Sequence, residues 1–133
     1  MLFADASQAE ILVLSLNDSN LNARAQAIPI ELNIRRPVAL DLDLTENRIY
    51  WTDVTLNTIS RVFINGSSPE VIVSENIYIP DGLAVDPLGG NIYWSDTGTN
   101  KIEVSRKDGT MRKTLISNNL DEPRDIILDL FKG

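Results

Sequence analysis

Short apolar and β-branched runs, broken by turn residues, follow one another along this chain. Val38–Asp43 is an apolar run that ends on acids, and Arg48–Asp53 is rich in β-branched and aromatic residues. Thr58–Ile64 and Glu70–Val73 come next. The segments between them (Thr45-Glu46-Asn47, Thr55-Leu56-Asn57 and Asn65–Pro69) have turn compositions. The pattern predicts four short strands joined by tight turns. It then starts again. Gly82–Asp86, Asn91–Asp96, Lys101–Arg106 and Arg112–Ile116 predict a second set of four, with Asp108-Gly109 as a hairpin turn. No segment carries a sustained helical stripe.

The two sets keep a fixed step. Trp51 and Trp94 stand 43 residues apart, as do Gly66 and Gly109, and Pro37, Pro80 and Pro123. Residues 37–79 and 80–122 align without a gap, and 12 of the 43 positions are identical. A period of this size marks a repeat architecture and outranks any local reading. Its clearest element is Tyr50-Trp51-Thr52-Asp53, copied as Tyr93-Trp94-Ser95-Asp96. Residues 2–36 read as a degenerate copy that begins at its second strand, because Ile11 follows Phe3 by 8 residues, as Ile59 follows Trp51. Residues 123–133 read as one further first strand. The fold class is therefore all-β: a partial β-propeller of about three four-stranded antiparallel blades. The tryptophans are expected to fill the gaps between twisted sheets, where a large flat side chain buries most area.

Composition removes several functions. The chain has no histidine and no cysteine, which excludes Ser-His-Asp and Cys-His catalysis, disulfides, and any metal held by His or Cys. A net charge of −7 argues against nucleic acid as a partner. Met1–Ser15 lacks a basic n-region and is interrupted by Asp5 and Glu10, so it does not read as a signal peptide. No uncharged apolar run approaches the roughly 18 residues of a membrane helix, so no membrane contact is expected. The chain reads as either cytosolic or part of something longer. No cofactor is expected.

Tyr-Trp-Thr-Asp on this period, with Pro80-Asp81-Gly82-Leu83-Ala84-Val85-Asp86 before the second copy, resembles the YWTD repeat of low-density-lipoprotein-receptor class B. Residues Ile92–Asp129 are similar to receptor-related propellers of the Wnt co-receptor and agrin-receptor type. The resemblance implies a six-bladed ring, of which this chain holds about half. It also implies an extracellular or cell-surface receptor module that binds secreted protein ligands, in Wnt-type signalling, and does no catalysis. Two alternatives stand beside it: a truncated structural fragment without a ligand, and a metal-dependent propeller hydrolase. Complementary strand edges at the two ends would also let two copies pair into a closed ring.

Several residues are site candidates. Asp53 and Asp96 end the second strands, and their repetition points to backbone hydrogen bonds at a turn rather than to chemistry. Asp41 and Asp43 share a strand face and could form an acid/base or calcium pair, but no calcium-loop pattern follows them. Asn17-Asp18-Ser19 and Asn65-Gly66-Ser67 are glycosylation sequons. In a propeller the loops from strand two to three and from strand four to the next blade share one face. By resemblance, ligand binding falls there on Val54, Thr55, Asn57, Ile79, Asp81, Gly98 and Arg124. Tyr78 joins them because a loop tyrosine is a good anchor.

Overall fold

The computed structural model of the chain describes residues 2–17 and 22–116. All regular structure among these residues is β, in eleven strands and three antiparallel sheets. The first sheet holds β1 (Leu2–Asp5), β2 (Glu10–Asn17) and β3 (Asn22–Ala27). The second holds β4 (Pro37–Asp43), β5 (Arg48–Asp53), β6 (Thr58–Phe63) and β7 (Glu70–Val73). The third holds β8 (Pro80–Asp86), β9 (Asn91–Asp96), β10 (Lys101–Arg106) and β11 (Lys113–Ile116). Each is a meander in sequence order, the blade of a partial propeller. The strands match those read from the sequence to within two residues. The expected strand at 123–133 lies outside the described residues.

The turns explain why the strands stop where they do. Asn57 and Asn100 occupy the same place in the β5–β6 and β9–β10 turns, with φ of 56° and 54°. Asn tolerates this left-handed region better than most residues. The second and third sheets differ at their inner turns, where Asn47 (φ 56°) is replaced by Gly90 (φ 74°).

The core lies between the sheets. Trp51 packs with Ile11, Ile28, Ile49 and Val62, filling the seam between the first and second sheets. Trp94 packs with Tyr50, Ile59, Val73, Leu83 and Ile92 in the next seam. Both tryptophans are fully buried. The period of two along a strand puts Tyr50 and Trp51 on opposite faces of β5. One therefore contacts the following sheet and the other the preceding sheet. In the third sheet the face equivalent to Tyr50 carries Ala84, Ile102 and Tyr93. Beside it Leu115 and Ile116 of β11 are exposed.

Polar groups close the same seams. Asp41 accepts the backbone N–H of Val85 at 2.8 Å, across from β4 to β8. Lys107 reaches back from the β10–β11 turn. Its Nζ lies 2.8 Å from Asp43 Oδ2 and 2.7 Å from Glu46 Oε2. Asp41 and Asp43 thus both point at the third sheet and act as inter-sheet ties. Among the described residues no group of three or more Asp or Glu is placed to hold a metal ion.

Candidate functional site

Antiparallel meanders bring the β5–β6 turn, the β9–β10 turn and the β7–β8 connection to one end of the sheets. Two buried carboxylates organise that end. Asp53 accepts the backbone N–H groups of Arg35 (2.8 Å) and Arg36 (3.1 Å) from the preceding connection. It also accepts those of Thr55 and Leu56 in its own turn, both at 3.0 Å. Asp96 repeats this with Tyr78, Ile79 and Gly98, all at 2.9 Å. Each carboxylate therefore staples a loop arriving from the previous sheet to the turn that follows its own strand. Charged acceptors of this kind are about twice as strong as neutral ones. Thr97 N–H adds a bond to Ile79 O at 3.1 Å, and Val54 N–H donates to Arg36 O in the same way.

The result is a fixed loop with an apolar surface. Tyr78 is 54% exposed and Ile79 45% exposed, although their backbones are held by the buried Asp96. A Cβ placed on Gly98 would come within 2.7 Å of Tyr78 Cβ. Only glycine lets the β9–β10 turn lie so close against this loop. With its side-chain amide oriented to donate, Asn57 bonds Tyr78 O at 2.6 Å and Val54 O at 3.2 Å. The structure thus brings together Val54, Asn57, Tyr78, Ile79 and Gly98. Thr55 is exposed at the tip of the adjoining turn. Asp81 sits lower, where it accepts the hydroxyls of Ser95 (3.1 Å) and Thr97 (3.2 Å). Its carboxylate is engaged within the sheet. Arg124 lies outside the described residues, and so does the side chain of Asn17.

Beside Tyr78 and Gly98 opens a polar groove of about 660 Å³ that also takes in Lys101, Glu103 and Arg112. Arg112 is its brace. It forms a fork with Glu103 (3.0 and 2.8 Å) and donates to Asn76 O at 2.8 Å and to Glu75 O. Its guanidinium carbon lies 5.4 Å from the centre of the Trp94 ring. This brace is not legible in the repeat. Arg112 and Glu103 stand where the first repeat has Pro69 and Ser60, so the repeat pattern carries no signal for them.

The family model for low-density lipoprotein receptor repeat class B matches residues 47–87 and 90–130. Human low-density lipoprotein receptor-related protein 5 is 49% identical over 67 residues, which is 50% of this chain and 4% of that protein. Human low-density lipoprotein receptor-related protein 4 is 46% identical over 68 residues, 51% of this chain and 3% of that protein. The chain thus spans a small fraction of the length of these relatives. Among solved structures, a chain of a nidogen/laminin complex superposes with a TM-score of 0.77 at 31% identity, covering 90% of this chain and 44% of that one. A putative 6-phosphogluconolactonase from Bacteroides uniformis shares the fold alone, with a TM-score of 0.54 at 16% identity over 92% of this chain and 40% of that one.

Proposed function

Because the chain belongs to the class B repeat family of the low-density lipoprotein receptor, we propose that it is a protein-binding module of an extracellular receptor. It engages a secreted protein ligand through the face built by Val54, Asn57, Tyr78, Ile79 and Gly98. The setting we propose is Wnt-type signalling. The observation that carries this reading is the pairing of exposure with rigidity at Tyr78 and Ile79. An exposed tyrosine beside an isoleucine offers apolar area to a partner. A loop already ordered by Asp96 loses little conformational entropy when it binds. Support also comes from the solved nidogen/laminin complex, in which a chain of this fold was crystallised with a protein partner.

The test is binding of the secreted chain to purified laminin and to a purified Wnt protein, measured by biolayer interferometry. Tyr78→Ala should weaken the complex by roughly tenfold or more, equivalent to about 1.4 kcal/mol or above. Leu88→Ala is the control. Leu88 is 97% exposed at the opposite end of the sheets and should leave binding unchanged. Equal losses for both variants, or no binding of either protein, would defeat the proposal.

A further inference from the structure

The β6–β7 hairpin carries a motif that the ligand face does not use. Phe63 N–H donates to Ser67 O at 3.0 Å, Gly66 N–H donates to Phe63 O at 2.8 Å, and Gly66 has φ of 91°. The β10–β11 hairpin has the same build. There Arg106 N–H donates to Thr110 O at 2.8 Å, Gly109 N–H donates to Arg106 O at 2.9 Å, and Gly109 has φ of 88°. Each turn is further fixed by one side-chain oxygen. Asn65 Oδ1 accepts from Ser67 N–H (3.0 Å) and Oγ–H (2.6 Å). Asp108 Oδ1 accepts from Thr110 N–H (3.0 Å) and Oγ1–H (2.6 Å).

The turn therefore requires an acceptor oxygen and not an amide, because Asp108 serves as well as Asn65. The amide nitrogen of Asn65 is outside the turn's hydrogen bonds. Asn65 is exposed, and Ser67 completes the Asn-x-Ser acceptor sequence. A second feature separates this hairpin from its copy. A groove of about 490 Å³ runs beside Asn65 and is lined by Phe63, Ile64, Glu46 and Asn47. In the copy, Arg106 replaces Phe63. Aromatic ring, acceptor amide and hydroxyl occur together only in the first of these two hairpins.

We propose that Asn65 carries an N-linked glycan whose first N-acetylhexosamine rests on Phe63 in this groove. The donor is a lipid-pyrophosphate-linked oligosaccharide. A bond forms between Asn65 Nδ2 and the sugar C1, and the bond from C1 to the pyrophosphate oxygen breaks. Its electron pair leaves with the lipid pyrophosphate, and one amide proton is released. The guanidinium carbon of Arg48 lies 4.3 Å from the centre of the Phe63 ring. The apolar face of the sugar ring therefore covers the side of Phe63 away from Arg48 and the partly exposed Ile64 (36%). The β6–β7 hairpin lies at the end of the sheet opposite Tyr78, so the glycan leaves the ligand face open. This inference rests on the extracellular reading, since only chains that enter the endoplasmic reticulum meet the donor.

The experiment is translation of the full chain behind a cleavable leader in the presence of endoplasmic-reticulum microsomes, followed by peptide mass spectrometry. A glycopeptide containing Asn65 is expected, and it should disappear in Ser67→Ala and in Asn65→Asp, the variant that preserves the turn. Removing the glycan should lower Tm by roughly 3 °C, and that drop should vanish in Phe63→Ala. A translocated chain with Asn65 unoccupied overturns the proposal, and an equal Tm drop in Phe63→Ala overturns the seat on Phe63. The leader delivers the chain whether or not it binds a ligand. An unoccupied Asn65 thus counts against the glycan alone, and the binding assay above counts against the receptor reading alone.

Discussion

Replacing Lys107 by methionine removes the cation that ties the third sheet to the second. The ammonium sits 2.8 Å from Asp43, whose side chain is wholly buried, and 2.7 Å from the half-exposed Glu46. Burial works against the charge on Asp43. Lys107 and two hydrogen bonds from Thr45 outweigh it and bring the Asp43 pKa down from 3.8 to about 2. A depression of that size corresponds to roughly 2 kcal/mol of stability at neutral pH. Because the folded pKa lies below the unfolded one, this contribution is present above about pH 3.8 and is lost as the pH falls towards 2. Lys107→Met leaves a buried carboxylate without its cation, so the cost at pH 7 should reach about 2–3 kcal/mol. It should shrink to near zero at pH 2, where the wild-type carboxylate is itself being protonated. Urea unfolding followed by Trp51 and Trp94 fluorescence reads this directly. A double-mutant cycle with Asp43→Asn should give a coupling of about 1–2 kcal/mol at pH 7. A loss of stability that is the same at both pH values, or a coupling near zero, would refute the tie.

Gly109→Ala should destabilise the chain by about 2–4 kcal/mol in thermal unfolding, because the new Cβ would lie 2.1 Å from Ile72 O at a φ of 88°. Gly90→Ala, at a φ of 74° but with nothing within 4 Å, should cost only about 1 kcal/mol. Asp96→Ala removes the shared acceptor of Tyr78, Ile79 and Gly98. It should cost about 2–3 kcal/mol and speed hydrogen exchange at those three amides relative to the amides of β5.

What repeats in this molecule was legible in its sequence. The 43-residue step carries the strand boundaries, the placement of both tryptophans in the seams, and the paired roles of Asp53 and Asp96. Each of these follows from local spacing, which two aligned copies make visible. What holds one particular seam was not legible. Lys107 aligns with Ile64 and Arg112 with Pro69, so comparing the copies says nothing about either contact. Asp43 aligns with Asp86, and both accept turn N–H groups, Asp43 from Thr45 and Asp86 from Gly89. Among the described residues only Asp43 meets a lysine, and that contact spans 64 residues. Loop topology places Val54, Asn57, Tyr78, Ile79 and Gly98 at one end of the sheets, where the structure brings them into contact. It could not show that the Asp81 carboxylate is turned inward to Ser95 and Thr97, because that depends on hydroxyl positions in a neighbouring strand.

The adjacency of Tyr50 and Trp51 has a further consequence. Neighbouring residues on one strand serve two different seams, so a single backbone segment transmits order in both directions. The sheets then behave as a linear array in which each unit is stabilised mainly by contact with its neighbours. Among the described residues the second sheet is the one bordered on both sides, so hydrogen-exchange protection should be higher at β5 than at β2 or β10. Damage would likewise be graded by position. A cavity in the seam at Trp94 would loosen the Tyr78 loop on the same boundary, and the Trp51 seam would feel it only through the strand they share.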